Sequence, residues 1–126
     1  MEEYRRIVVD NVYYYGKHLI ASFKRCNQNI IDKQIISEFL HQLAIDVDMQ
    51  PFGQPIVERF GEGIEIGISG VQLIETSAIT VHTNDMARDL YLDVFSCKDF
   101  DADEVLQIVQ DRFAPEEYTH KVLLRS

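Results

Sequence analysis

Apolar residues recur at helical spacing in two segments of the chain. The first apolar stripe consists of Ile35, Ile36, Phe39, Leu40 and Leu43. We expect its helix to begin after Asn29 or Asp32 as the N-cap and to end near Asp46. The second helix begins at Asp101, an N-cap with a glutamate three residues later, and ends near Phe113, before a proline. The pattern therefore predicts two amphipathic helices.

Elsewhere apolar and polar residues alternate, which is typical of strands with one buried face. The expected strands lie near residues 7–9, 17–23, 56–60, 64–75, 77–82, 90–95 and 118–124. Gly67 and Gly70 indicate a bulge or a close approach of backbones within one of them. The element order predicts an α+β fold, a two-layer sandwich whose mainly antiparallel sheet carries both helices on one face. We expect residues 1–126 to form a single domain.

The composition narrows the functional classes. The chain has 126 residues, of which 46% are hydrophobic and 26% charged, as in ordinary globular domains. Its net charge of −9 disfavours a broad nucleic-acid surface and suits either simple solubility or a cationic ligand. Cys26 and Cys97 fit no metal or disulfide pattern, and no segment resembles a signal peptide or a membrane span. We therefore expect a cytoplasmic protein that binds no metal, nucleic acid or membrane.

One predicted strand, over residues 74–83, carries a nucleophile and a base. Ser77 and His82 are five residues apart, and this odd spacing places them on opposite faces of a straight strand. They share a site only if the chain turns or bulges between them. Taken singly, Ser77 and Ser69 are also ordinary strand residues. His82 equally fits a structural histidine, and Cys97 an inert buried thiol, so spacing alone leaves both interpretations open.

Taken together, these residues form a pattern. It consists of Gly67-Ile68-Ser69-Gly70, Ser77, Val81-His82-Thr83 and Asp93-Val94-Phe95-Ser96-Cys97. It resembles the bacterial and archaeal S-adenosylmethionine decarboxylases, small pyruvoyl enzymes of polyamine synthesis, in the spacing of its two serines, histidine and cysteine. Lys17-His18-Leu19-Ile20 is similar to the first strand of that family, and Arg59-Phe60 to an aromatic position before its serine strand. The resemblance covers nearly the whole chain and implies the same α+β fold.

The resemblance implies that the chain processes itself. Ser77 Oγ would attack the carbonyl carbon of Thr76 and convert the peptide bond into an ester. Ser69 and His82 would assist by hydrogen bonding and proton transfer. Elimination would then leave a pyruvoyl group at position 77, the self-generated cofactor of the family. Its ketone would form a Schiff base with the substrate amine and take up the electrons released when carbon dioxide leaves.

The resemblance also implies roles in turnover and binding. Cys97 would return a proton to the former α-carbon, and Phe60 would stack on the adenine of S-adenosylmethionine. The product, decarboxylated S-adenosylmethionine, serves spermidine synthesis. Active sites in the family lie between the protomers of a dimer. The apolar cluster of Tyr13, Tyr14 and Tyr15 offers a surface for such a homodimer.

The chain departs from the family pattern around the cleaved bond. Thr76 and Ala78 stand where the family usually has glutamate and histidine, and Glu75 lies one place earlier. Asp85 occupies the region of a ribose-binding glutamate and is the candidate to replace it. Three alternatives follow: a decarboxylase of S-adenosylmethionine, the same pyruvoyl chemistry on another cationic amino acid such as arginine or ornithine, and a non-processing homologue that acts as a binding or regulatory subunit.

Overall fold

The computed structural model describes residues 4–126. A small hairpin of β1 (Ile7–Val9) and β2 (Val12–Tyr14) precedes the main sheet. The other elements are β3 (Gly16–Lys24), α1 (Lys33–Asp46), β4 (Ile56–Phe60), β5 (Gly67–Ile74), β6 (Ser77–Asn84), β7 (Asp89–Ser96), α2 (Ala102–Phe113) and β8 (Glu117–Arg125). Six of these strands form one antiparallel sheet in the order β4-β5-β6-β7-β3-β8, with β8 at an edge as expected.

One face of the six-stranded sheet forms the core with both helices. The fully buried side chains include Leu19, Phe23, Phe39, Leu43, Ile79, Leu92, Val105 and Phe113. Helix α1 lies so close to β5 that a Cβ atom on Gly70 would meet Leu40 Cδ1 at 2.8 Å. The predicted α+β sandwich with both helices on one face is confirmed, because inward residues alternate along each central strand.

The opposite face of the sheet, called the open sheet face below, has neither helix on it and is partly exposed. Its side chains are His18, Ile20, Ser22, Ser69, Val71, Leu73, Ala78, Thr80, His82, Tyr91, Asp93 and Phe95, with Ile56, Glu58 and Phe60 at the β4 edge. Near its centre, His18 Nε2 lies 3.0 Å from Asp93 Oδ1. The sheet therefore presents a mixed polar and apolar surface away from the core.

The helix boundaries follow from side-chain caps. The Asp32 carboxylate accepts hydrogen bonds from two backbone N–H groups of α1, while Asn27 caps the short 3-10 helix Gln28–Ile31 before it. The Asp101 carboxylate accepts from the N–H groups of Asp103 and Glu104 at 2.9 and 3.3 Å. Both predicted helix ends are confirmed. Within residues 4–126, neither helix has the length and apolar character needed to cross a membrane.

The strand predicted over residues 64–75 is shorter than expected. Gly63–Glu65 forms a 3-10 helix, and β5 begins only at Gly67. A Cβ atom on Gly67 would lie 1.8 Å from the carbonyl oxygen of Thr83, so the expected close backbone approach is present. No bulge accompanies it, because β5 and β6 keep one continuous register from Ser69 opposite His82 to Ile74 opposite Ser77.

Candidate active site

The candidate nucleophile lies at a hairpin turn. Glu75 and Thr76 form the turn between β5 and β6, and Ser77 is the first residue of β6. The φ angle of Ser77 is 156°, in a region that residues with a side chain rarely adopt. Such a conformation costs on the order of 1–3 kcal/mol and is held only by the surrounding structure. This turn precedes Ser77, so no turn or bulge lies between Ser77 and His82, but backbone strain lies at the residue expected to react.

The carbonyl group before Ser77 is already polarised. The backbone N–H of Cys97 donates a hydrogen bond to the carbonyl oxygen of Thr76 at 3.0 Å. This contact follows from the register, in which Ser77 lies opposite Ser96 on β7. An N–H group aimed at a carbonyl oxygen stabilises the negative charge that develops when the carbon is attacked. We call Thr76, Ser77, Ser96 and Cys97 the scissile cluster.

Ser96 anchors the scissile cluster from inside the core. Its side chain is fully buried, and its Oγ lies 2.8 Å from Thr76 Oγ1. The same Oγ accepts the backbone N–H of Lys98 at 3.0 Å. Sequence reasoning assigned Ser96 no role, although its place just before Cys97 and the alternation of β7 both put it next to the site.

Ser69 and His82 form a second group on the open sheet face. They lie opposite each other on β5 and β6, and Ser69 Oγ is 3.0 Å from His82 Nδ1. His82 Nε2 has no hydrogen-bond partner among residues 4–126. Phe60 is 60% exposed on the same face and is a diagonal neighbour of Ser69, since it pairs with Gly67. We call Phe60, Ser69 and His82 the open-face cluster.

The structure does not bring the two clusters together within one chain. β6 is a regular strand from Ser77 to Asn84, so five residues separate the Cα atoms of Ser77 and His82 by roughly 16 Å. Ser69 and His82, the residues expected to assist at Ser77, therefore do not reach it within one chain, whereas Cys97 does lie beside the turn. The physical reason is that β6 is paired on both sides without a bulge, so nothing shortens the distance.

Asp85 lies apart from the open-face cluster. Its Oδ2 is 3.2 Å from Arg59 Nη2, and Arg59 also donates to the carbonyl oxygen of Ile31. The other carboxylate oxygen, Oδ1, is buried without a hydrogen-bond partner among residues 4–126. Sequence reasoning named Arg59 only as a neighbour of Phe60 and missed this ion pair. Asp85 is therefore held by Arg59, with one oxygen still unsatisfied.

The two cysteines differ sharply. Cys26 is buried, and burial, with a smaller effect of Asp89, raises the pKa of its thiol to about 11. Cys97 is partly exposed, and its thiol donates to the hydroxyl oxygen of Tyr4 at 3.7 Å. Because the thiolate is the reactive form of cysteine, Cys26 is inert at neutral pH. Within residues 4–126, no three potential ligands among the His, Cys, Asp and Glu side chains lie together as a metal site.

The chain is similar to known proteins of one family. The family model described as S-adenosylmethionine decarboxylase matches residues 17–126. The S-adenosylmethionine decarboxylase proenzyme of Archaeoglobus fulgidus is 25% identical over 112 residues, which cover 87% of this chain and 96% of that protein. The proenzyme of Thermotoga petrophila is 32% identical over 84 residues, covering 65% of this chain and 61% of that one. The crystal structure of the adenosylmethionine decarboxylase from Aquifex aeolicus superposes with a TM-score of 0.75 at 20% identity, over 90% of this chain and 92% of that chain.

The fold and the site define a class, a two-layer α+β sandwich with a strained serine at the turn of a central hairpin. The chain belongs to the S-adenosylmethionine decarboxylase family, since the family model matches most of it. The solved structure, at 20% identity, supports the fold.

Proposed function

We propose that the chain cleaves itself between Thr76 and Ser77 and then acts as a pyruvoyl-dependent S-adenosylmethionine decarboxylase in spermidine synthesis. One observation carries the proposal: the Cys97 N–H group holds the Thr76 carbonyl oxygen while Ser77 is strained beside it. This geometry suits the formation of a pyruvoyl group at position 77. The names of the curated relatives, which are proenzymes, support the same chemistry.

Each step of the cleavage has a group to assist it. Ser77 Oγ attacks the Thr76 carbonyl carbon, the C–N bond breaks, and the hydroxyl proton passes to the freed nitrogen, which leaves an ester. The Cys97 N–H group stabilises the oxyanion formed on the way. A base then removes the Cα proton of Ser77, the Cβ–O bond breaks, and Thr76 leaves as a carboxylate. The resulting enamine takes up a proton at Cβ and becomes an imine, water adds to the imine carbon, the nitrogen departs as ammonia, and a pyruvoyl group remains.

We assign the base to His82 of a second copy of the chain. His82 Nε2 has no hydrogen-bond partner among residues 4–126 and Ser69 holds Nδ1, but the Cα atoms of His82 and Ser77 of the same chain are roughly 16 Å apart. A second copy packed on the open sheet face would bring its own Ser69 and His82 to the scissile cluster. Ile20, Leu73 and Tyr91 expose 37%, 53% and 37% of their surface on this face, which gives the homodimer an apolar contact area.

In turnover, the pyruvoyl carbonyl supplies a sink for the electrons released as carbon dioxide leaves. The chain supplies the rest. Cys97 is partly exposed beside position 77 and returns a proton to the carbon that lost carbon dioxide. Phe60 of the open-face cluster stacks on the adenine. The net charge of −9 favours the approach of a cationic substrate such as the sulfonium of S-adenosylmethionine.

A second candidate keeps the pyruvoyl chemistry but uses another cationic amino acid. It is favoured by the ion pair between Arg59 and Asp85, which already engages the carboxylate that would hold the ribose. Arginine or ornithine has no ribose and needs no such contact. Release of carbon dioxide from S-adenosylmethionine, arginine and ornithine, measured side by side, separates the two candidates.

The test of self-cleavage is the intact mass of the purified protein. We expect two fragments divided between Thr76 and Ser77, the second blocked at its N-terminus by the pyruvoyl group. Ser77→Ala should remain one chain, because it lacks the attacking oxygen. A wild-type chain that stays whole after long incubation would refute the proposal.

A further inference from the structure

The match to the family model begins at residue 17, but an N-terminal extension, residues 4–16, packs onto the site. Ile7 of its hairpin is fully buried, which anchors the extension. Tyr4 precedes the hairpin, and its ring lies 5.8 Å from the ring of Tyr15 and 4.9 Å from the guanidinium carbon of Arg6. Tyr4 is 50% exposed, and these two contacts lie against its ring.

Two contacts connect this extension to the scissile cluster. The hydroxyl oxygen of Tyr4 accepts a hydrogen bond from the Cys97 thiol at 3.7 Å. Arg6 lines a cleft of about 450 Å³ together with Glu75, Thr76 and Lys98. The extension therefore contacts the Cys97 thiol, which donates a proton to the substrate in the proposed function.

We propose that Tyr4 is a positioning residue for the Cys97 thiol. Before proton transfer, the phenol oxygen accepts a hydrogen bond from the Cys97 S–H group and so holds the thiol in one orientation. After the proton has passed to substrate carbon, the phenol O–H turns and donates to the thiolate that remains. This inference rests on the proposed function for its catalytic consequence, but the contact itself is testable without it.

The phenol suits both tasks because it stays protonated. Its hydrogen bond with Cys97 is the main cause that raises the pKa of Tyr4 above its ordinary value, and burial adds to the effect. A neutral phenol beside a thiolate donates to it and favours the charged form. The same contact thus orients the thiol and stabilises the anion left after transfer.

The direct test is the alkylation rate of Cys97 by iodoacetamide at neutral pH. It is measured in the Ser77→Ala chain, which stays whole, so maturation does not affect it. Only Cys97 reacts in the native protein, because Cys26 is buried with its pKa raised to about 11, and two thiols react in denaturant. A variant in which one thiol reacts under native conditions and two react in denaturant is therefore folded.

We expect Tyr4→Phe to slow alkylation about threefold, since it keeps the ring but removes the group that stabilises the thiolate. Tyr118→Phe is the matched control: it makes the same change on a tyrosine of β8 that is 38% exposed and stacks on Phe23, and it should leave the rate unchanged. An unchanged or faster rate in Tyr4→Phe overturns the proposal.

Turnover supplies a second result. In the mature enzyme, Tyr4→Phe should lower kcat severalfold with KM unchanged, and self-cleavage should proceed normally because it uses the Cys97 backbone N–H. A raised KM with unchanged kcat would contradict a role in proton transfer. If alkylation slows but no chain ever releases carbon dioxide, the contact between Tyr4 and Cys97 is supported and the decarboxylase proposal fails.

Discussion

At Ser77, the geometry needed for self-cleavage comes from the backbone. The strained φ angle belongs to the main chain, and the donor to the Thr76 carbonyl oxygen is a main-chain N–H group. The unusual neighbours Thr76 and Ala78 therefore leave the reacting bond in place. The Thr76 side chain even adds a contact, since its hydroxyl lies 2.8 Å from the buried Ser96 hydroxyl. Departure from the family pattern at these two positions is compatible with cleavage.

Substitution of Cys97 separates cleavage from turnover. Cys97→Ala retains the backbone N–H group that holds the Thr76 carbonyl oxygen, so fragments should still appear by intact mass. Loss of the proton-donating thiol should lower carbon dioxide release about a hundredfold or more. Cys26→Ala, which changes the inert buried thiol, is the control and should retain turnover. Normal turnover by Cys97→Ala would refute its role as proton donor.

The residues that the sequence indicated are those with distinctive spacing, namely Ser69, Ser77, His82 and Cys97. Ser96 and Tyr4 carried no such signal. Ser96 lies beside Cys97 in the sequence, but its contact with Thr76 follows from the register opposite Ser77, and Tyr4 reaches Cys97 only because the N-terminal extension folds back. These contacts join residues 20 and 93 positions apart in the sequence, which no local pattern describes.

Among the helices and strands, the features that could be predicted were those set by residues close together in the sequence. The N-terminal ends of both helices follow from Asp32 and Asp101, whose carboxylates cap backbone N–H groups within three residues. The start of β5 was predicted wrongly because Ile64, Ile66 and Ile68 alternate like a strand. The 3-10 helix Gly63–Glu65 interrupts that alternation and leaves Ile64 71% exposed. Alternation alone does not reveal such a turn.

The start of β5 depends on the absence of a side chain at Gly67. In Gly67→Ala, the new Cβ would lie 1.8 Å from the Thr83 carbonyl oxygen and must push β5 and β6 apart beside the Ser69–His82 pair. We expect a loss of about 3 kcal/mol or more in the free energy of unfolding, measured with urea.

Gly53→Ala is the control for this substitution. Its Cβ would have no atom within 4 Å, although its φ of +67° adds backbone strain of about 1 kcal/mol. Equal losses in the free energy of unfolding of Gly67→Ala and Gly53→Ala would show that the close approach at Gly67 adds no cost of its own.

In the whole molecule, the six-stranded sheet separates the scissile cluster from the open-face cluster. The α+β sandwich with both helices on one face was predicted from alternation and element order. The separation of Ser77 from His82 was one of two outcomes that their odd spacing allowed, and the sequence did not decide between them because it does not show whether the strand bulges. Ser77 and His82, whose spacing is odd, lie on one regular strand: Ser77 is its first residue, and His82 lies on the open sheet face. The proposed site built from two copies would reconcile that strand with the proposed chemistry.

Co-production of two inactive variants tests this claim most directly. The Ser77→Ala chain keeps Ser69 and His82, whereas the His82→Ala chain keeps the scissile cluster. Neither should cleave alone, and Thr80→Ala, on the same face as His82, should cleave normally as the control. When the two inactive variants are produced together and weighed by mass spectrometry, we expect part of the His82→Ala chain to be cut between Thr76 and Ser77, while the Ser77→Ala chain stays whole. A His82→Ala chain that stays whole beside its partner, or that cleaves by itself at the wild-type rate, would contradict it.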